Sequence, residues 1–329
     1  MALPKHPVVE ILEQRREAGS VPGRRDDNAR VALAVEGGGM RGIVSAAMLI
    51  ALADLGFANA FDEVYGSSAG AINAAYLFQG QRWDALSLYY ADLGTKEFID
   101  RRRVLRGRPI VNFRYLRDQV LMEHRPIRLD LIERSGVRLF VAITNVDDRK
   151  LELVGEFSSS REFIEALVAG AWLPILAGPP VVFRQHRCLD GGVLLEHPSA
   201  AAISSGCSHV LVLSTRYPRP RGQPEMWRRV LRRYLNSIES GLGEDYWRHT
   251  LATMNHRVRL HERIQSDGSS GSILNIAPRA GWKAIDRLEQ DTGVLLNAAK
   301  EGYEATVESL TGSAARTVYA ISRLETEAT

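Results

Sequence analysis

Residues 61–76 read FDEVYGSSAGAINAAY: a short run ending in Val64 and Tyr65, then Gly66-Ser67-Ser68-Ala69-Gly70, then an alanine-rich segment of helical composition. The order is strand, sharp turn, helix, and it puts Ser68 at the apex of a G-x-S-x-G nucleophile elbow. Gly66 and Gly70 leave room where strand and helix cross. The turn projects the Ser68 hydroxyl outward, above the positive end of the helix dipole. An exposed serine of this kind needs a base and a set of hydrogen-bond donors, and the chain on either side can be searched for both.

Upstream, residues 31–35 (VALAV) form a continuous apolar run, which suits a strand buried on both faces. Gly37-Gly38-Gly39-Met40-Arg41-Gly42 and an apolar helix over about 43–55 come next. A second strand is expected over 61–65 and its helix over 69–78. The opening is therefore β-α-β-α with short turns, the pattern of a parallel sheet covered by helices. Further back, residues 7–18 fit a short amphipathic helix and 19–30 a charged, glycine- and proline-containing loop.

Downstream, helical periodicity returns over 83–93 and 113–134, separated by the arginine-dense stretch 101–108. Residues 137–144 (VRLFVAIT) read as a buried strand with 151–154 as its neighbour, and 161–169 as a helix. Residues 181–183 and 187–189 read as a hairpin leading into Asp190-Gly191-Gly192. A helix near 198–204 precedes a strand at 209–214. Residues 225–264 are helical and strongly charged, 272–277 (SILNIA) is a last strand, and two or three helices close the chain. The expected class is α/β, without a linker that splits the chain into independent domains. The expected divisions are an N-terminal helix and linker (1–30), a catalytic core (31–215), and a helical elaboration of the same domain with one further strand (216–329).

Composition excludes several classes. With 45% hydrophobic and 25% charged residues the chain can bury a large core, and a net charge of +3 does not point to nucleic acid. Cys188 and Cys207 make neither a disulfide framework nor a metal cluster and read as reduced thiols, so no metal or cofactor is expected. The N-terminal stretch lacks the apolar core of a signal peptide, and the longest apolar run, 46–53, is far short of the roughly 18 residues of a span. The expected location is cytoplasmic, with any membrane contact peripheral.

The three glycines 37–39 let successive backbone N–H groups turn toward one point, as an oxyanion hole requires. A dinucleotide loop is the competing reading, but the G-x-G-x-x-G spacing with a following acidic residue is missing. For the base, His197 is the best placed of eight histidines, although it lies between Glu196 and Pro198 at a helix start. Asp190 is the stronger candidate, since it ends a strand and is followed by two glycines. A carboxylate in a dry site can itself act as base, its proton affinity lifted above the usual value of about 3.9.

Glu36-Gly37-Gly38-Gly39-Met40-Arg41-Gly42, Gly66-Ser67-Ser68-Ala69-Gly70 and Asp190-Gly191-Gly192 together resemble the three ordered blocks of the patatin-like phospholipases. The resemblance covers roughly 31–214. It implies a three-layer α/β/α fold with a mostly parallel central sheet, here with additional C-terminal helices. It also implies metal-independent hydrolysis of lipid acyl esters through an acyl-serine intermediate. On matching positions Ser68 would be the nucleophile and Asp190 the base. Gly37, Gly38 and Gly39 would form the oxyanion hole, and Arg41, Gly66, Gly70, Gly191 and Gly192 would support it. A transacylase using the same site, and a catalytically silent lipid-binding protein, are the alternatives. The chain departs from the pattern at Gly170 and Trp172, where small residues and a serine are usual, and at Glu196, in place of an asparagine. The first departure is expected to narrow or reshape the acyl pocket.

Two basic segments bear on lipid surfaces. Arg101, Arg102, Arg103, Arg106 and Arg108 suit either anionic headgroups or plain solvent, and residues 98–117 are where a lid is expected. Met226, Trp227, Val230, Leu231, Tyr234, Leu235 and Ile238 repeat on one helical face beside four arginines, a stripe that fits a membrane interface or the domain's own core.

Overall fold

The computed structural model describes residues 5–217, 225–263 and 272–312. Any helix expected beyond residue 312 lies outside the described residues. Among them are eight strands: β1 (Val31–Val35), β2 (Glu63–Ser67), β3 (Arg138–Asn145), β4 (Lys150–Val154), β5 (Val181–Phe183), β6 (His186–Asp190), β7 (His209–Leu213) and β8 (Ser272–Ile276). Hydrogen bonds link them in the order β5-β6-β3-β2-β1-β7-β8, with β4 also paired to β3. The run β3-β2-β1-β7-β8 is parallel throughout, whereas β4, β5 and β6 join antiparallel. The sheet is mixed and mostly parallel, flanked by helices on both faces.

The three layers follow from the side-chain alternation of β1. Val31, Leu33 and Val35 point into the larger core with residues of the helices Ile43–Asp54, Ala69–Phe78, Ser160–Gly170 and Thr292–Thr311. Ala32 and Ala34 point the other way, into a core with Ala201 and Ala202 of Pro198–Ser204 and Leu260 of Leu242–Arg263. A strand buried on both faces has no polar side to show, which is why VALAV carries no polar residue. Small alanines toward the second core allow its helices to approach closely.

The register of β3 aligns the site. Val141 and Ala142 pair with β2 and also with β4, so those two strands occupy opposite edges of β3. Ile143, Thr144 and Asn145 pair with β4 and with β6, so β6 takes the edge that β2 has just vacated. β2 and β6 therefore meet head to head along one edge: Ser67 pairs with Ala142, and Asp190 pairs with the next residue, Ile143. Both strands end at that junction. The β5-β6 hairpin closes through two residues, Arg184 and Gln185, at φ 47° and 67°, the left-handed pair that a tight antiparallel turn needs.

The N-terminal segment is fastened to this sheet. In the helix Pro7–Glu17, Val8 and Leu12 are fully buried and Arg15 is 1% exposed. Arg15 pairs with Asp27 at 2.7 Å and Asp62 at 2.8 Å, and donates to the carbonyls of Ala29 and Ala60. Asp62 also accepts the Val31 N–H, so the arginine holds the chain where β1 begins.

Most expected elements form within two residues of their anticipated bounds. The second strand runs two residues later than expected, because Gly66 and Ser67 still pair with β3 before the chain turns. The expected helix over 113–134 is broken into Phe113–Tyr115, a wide-turn segment Leu116–His124 and Leu129–Ser135, with Pro126 and the chain before it interrupting the ladder. Residues 225–263 form two helices, Glu225–Ile238 and Leu242–Arg263, separated at Gly241, which adopts φ 85°.

Candidate active site

Ser68 sits between β2 and the helix Ala69–Phe78 at φ 55°, ψ −134°, a conformation that side-chain-bearing residues rarely adopt. Strain of this sort costs about 1–3 kcal/mol and persists only where surrounding packing enforces it. Here β2 supplies the enforcement on one side and the helix on the other. A Cβ at Gly66 would lie 2.8 Å from the Ala71 nitrogen, so strand and helix touch backbone to backbone. Although Ser68 occupies the helix N-cap, its side chain makes no capping hydrogen bond, so the hydroxyl is not spent on the helix.

The glycine loop follows β1, the strand beside β2. Gly37 lies against the elbow, where a Cβ would come within 2.8 Å of the Ala69 nitrogen and 2.9 Å of the Ser68 Cβ. Gly38 and Gly39 both have positive φ, and Gly39 opens the tight turn Gly39–Gly42. Among the described residues no hydrogen bond takes up the Gly37 or Gly38 N–H. Arg41 is buried beneath Gly38 and contacts Thr215 Oγ1 from its Nε at 3.3 Å. Thr215, just past β7, clamps the loop further: its hydroxyl donates to the Gly37 carbonyl at 2.9 Å, and its N–H to Glu36 Oε2 at 3.0 Å.

Asp190, the last residue of β6, is 5% exposed. Its own N–H donates to the Trp172 carbonyl, and Thr144 Oγ1 donates to its carbonyl at 3.0 Å. One carboxylate oxygen, Oδ1, accepts the Gly192 N–H at 2.7 Å. The other, Oδ2, is buried without a well-formed hydrogen bond. Burial pushes the carboxyl's proton affinity up, and the nearby Ser68 hydroxyl, the Gly192 N–H and the Arg287 charge oppose it. The Ser68 hydroxyl is thus close enough to act on the Asp190 carboxyl, while the geometry between them is loose. Gly70 packs on the end of β1, and Gly191 on Ala142 of β3, with no space for side chains. Gly192 is exposed at the rim.

These parts share one cavity of about 380 Å³, lined by Glu36, Gly37, Gly38, Arg41, Ser68, Asp190 and Gly192. Leu173, Pro174, Val193 and Leu195 continue its wall, and Leu231, Tyr246, Met254 and Trp282 complete it from the C-terminal third of the chain. His197 also lines the cavity, but its ring hydrogen-bonds Ser199, not Ser68, and burial drives its proton affinity down to about 3. An imidazole so held is a poor proton acceptor.

Two expectations about the rim need correction. Trp172 does not line the cavity: its indole N–H donates to the Pro179 carbonyl, and its ring packs on Phe113 at 5.1 Å. The next two residues, Leu173 and Pro174, form the wall instead. No residue of 98–117 lines the cavity either. That segment buries Phe98, Ile99, Val111, Phe113 and Leu116 in the core and leaves Arg101–Arg106 as an exposed turn. The charged neighbours Arg216, Arg257, Lys283 and Arg287 went unnoticed in the sequence, because arginines on polar helices and loops ordinarily signal a solvated face.

A family model described as patatin-like phospholipase matches residues 33–203. The Escherichia coli protein YjjU, itself described as uncharacterized, is 26% identical over 206 residues, 62% of this chain and 57% of the relative. Patatin-like phospholipase domain-containing protein 5 of Mus musculus is 29% identical over 130 residues, 39% of this chain and 29% of that protein. Among solved structures, VipD from Legionella pneumophila is similar with a TM-score of 0.42 at 15% identity, over 86% of this chain and 67% of that one. The matched region is thus little more than half of one curated relative and under a third of the other.

Proposed function

This chain belongs to the patatin-like phospholipase family, and on that footing we propose that it is a lipid acyl hydrolase working through a Ser68–Asp190 dyad. The observation that carries the reading is the meeting of β2 and β6 on one edge of β3, which brings an uncapped, strained serine to a buried carboxylate. Asp190 takes the hydroxyl proton as Ser68 Oγ bonds to the ester carbonyl carbon. The carbonyl oxygen, now negative, is stabilised by the free N–H groups of Gly37 and Gly38, with Gly39 and Arg41 shaping the loop. Collapse of the tetrahedral species expels the alcohol, which receives the proton from Asp190. Water then gives up a proton to Asp190 and attacks the acyl-serine, releasing the carboxylic acid and restoring the serine.

The apolar wall formed by Leu173, Pro174, Val193, Leu195 and Met254 suits an acyl chain. Among the described residues no helix is long and apolar enough to cross a membrane. Contact with a lipid surface is therefore assigned to exposed side chains, of which Met226 and Trp227 are 75% and 57% accessible.

The test is a panel of lipid and p-nitrophenyl esters, run on the wild type and on Ser68→Ala beside a fluorophosphonate probe. We expect labelling and turnover in the wild type, and a loss of about 10⁴-fold or more in Ser68→Ala. Equal turnover in the two, or a wild type that neither labels nor hydrolyses, would sink the reading. Adding a competing alcohol and analysing the products shows whether the acyl group passes to water or to the alcohol.

A further inference from the structure

The cavity beside Ser68 offers more hydrogen-bond donors than its own acceptors can use. Glu36 is the central carboxylate, and both of its oxygens are taken. Oε2 accepts the Thr215 N–H, and Oε1 is bonded by Arg257 Nη2 and approached by Arg216 Nε at 3.7 Å. One carboxylate therefore faces two guanidinium groups, with Arg41 and Arg287 close enough to act on the same charges. The Nε atoms of Arg216 and Arg257 are buried and make no hydrogen bond.

His197 adds a third unmatched donor. Its Nδ1 accepts the Ser199 backbone N–H at 3.3 Å, and a backbone N–H can only donate. The lone pair is therefore on Nδ1, and the proton of this neutral ring is on Nε2. That Nε2 is buried with no partner, in a side chain lining the same cavity. Three side chains that line one cavity thus each keep a buried N–H without an acceptor, which is costly because a buried unpaired donor forfeits its hydration. Four arginines and Lys283 line the cavity against three carboxylates, so the lining favours an anion. Burial and the neighbouring arginines also press the Arg216 proton affinity down, as expected of a cation short of counter-charge.

We propose that Arg216, Arg257 and His197 form a phosphate subsite beside Ser68, and that the preferred ester carries a phosphomonoester on its alcohol part. Two guanidinium groups and an imidazole N–H match the several oxygens of a tetrahedral dianion, and the surplus positive charge favours a dianion over a phosphodiester. This deepens the hydrolase reading, and the choice of substrate rests on it. The shared chemistry is the phosphate group, which a lipid headgroup or free phosphate can supply.

Two measurements separate these sources. Isothermal titration of Ser68→Ala with inorganic phosphate should show binding, weakened about 10-fold or more by Arg216→Gln in the same background. Arg257→Lys, which keeps the charge but loses the two-pronged donor, serves as a second variant, with thermal melts checking that each folds. In the kinetic measurement, an acylglycerol bearing a phosphomonoester is compared with the same acylglycerol bearing a choline phosphodiester. Its kcat/KM should be at least about 10-fold higher in the wild type, with the preference erased by Arg216→Gln. Phosphate binding that needs Arg216, without any headgroup preference, upholds the subsite and assigns it to free phosphate. No phosphate binding together with no headgroup preference overturns the proposal. A wild type that hydrolyses no ester while phosphate still binds through Arg216 refutes the hydrolase reading and leaves the subsite standing.

Discussion

Asp190 carries a conflict between stability and chemistry. Burial raises its proton affinity, so its contribution to stability is fully present below the unfolded pKa of about 3.9 and is lost as pH rises through the higher folded value. In the native state the carboxyl is buried with one good hydrogen bond, so its ionised form is disfavoured there. Asp190→Asn should therefore raise the unfolding free energy at pH 7 by about 0.5–2 kcal/mol, an advantage that shrinks as pH falls through the folded pKa and is gone below about 3.9, as urea titrations at pH 7 and pH 3.5 would reveal. The same substitution should remove turnover. In the wild type, kcat should fall with acidification, with a midpoint above the ordinary aspartate value, and a flat profile down to pH 4 would contradict the assignment. Ser68 and Asp190 were legible in the sequence because turn chemistry is local: glycines beside each residue announce a backbone that must bend or approach closely. Arg216 and Arg257 were not, and His197 stood out only as a candidate base. Their place on one cavity comes from neighbours brought from the end of β1, the segment after β7 and a distant helix, and no local pattern distinguishes the two arginines from solvated charges.

The helix Glu225–Ile238 shows how one periodic stripe can do two jobs. The sequence allowed either a membrane face or a core face along the whole stripe, and the structure divides it. Leu235 is fully buried, and Leu231, Tyr234 and Ile238 pack partly around the same small core. Met226, Trp227 and Val230, one to two turns earlier, stand exposed. Periodicity reports which residues share a face, and says nothing about where the supporting surface ends. If the exposed end enters a lipid interface, Trp227→Ser should lower partitioning onto anionic vesicles about 10-fold or more, given what burying a large apolar side chain contributes. Co-sedimentation would measure it, and unchanged partitioning would remove this helix from the membrane-facing surface. Leu235→Ser, on the buried end, should instead lower the melting temperature.

For the whole molecule, the core sheet was readable because strands buried on both faces announce themselves as unbroken apolar runs, as in residues 31–35. Much harder to read was the fastening of the N-terminal segment. Arg15 in the run EQRRE looks like any solvent-facing helix charge, yet it ties residues 7–30 to the start of β1 through Asp27 and Asp62. Its guanidinium holds the Asp27 carboxyl below the ordinary range. Arg15→Met should leave the Asp27 carboxylate without its arginine and Asp62 with Arg25 alone, and cost about 3 kcal/mol, measurable as a lowered urea midpoint. A loss below about 1 kcal/mol would mean the segment is an appendage and not part of the cooperative unit.

The two-residue turn at Arg184 and Gln185 has a further consequence. Because β6 is paired from that turn onward, the placement of Asp190 is inherited from a count of peptide units. One residue added between Phe183 and His186 presents the chain with a choice. It can bulge at the tip and keep the count, or it can slide β6 and carry the carboxylate to the opposite face of the sheet. The hairpin thus works as a measuring rod for the proposed Ser68–Asp190 dyad, and length changes here should be far less tolerated than substitutions. Screening one-residue insertions at this tip for serine-probe labelling and ester turnover would separate the outcomes: a bulged hairpin keeps both, while a slipped one leaves a folded protein with Ser68 in place and no aspartate beside it.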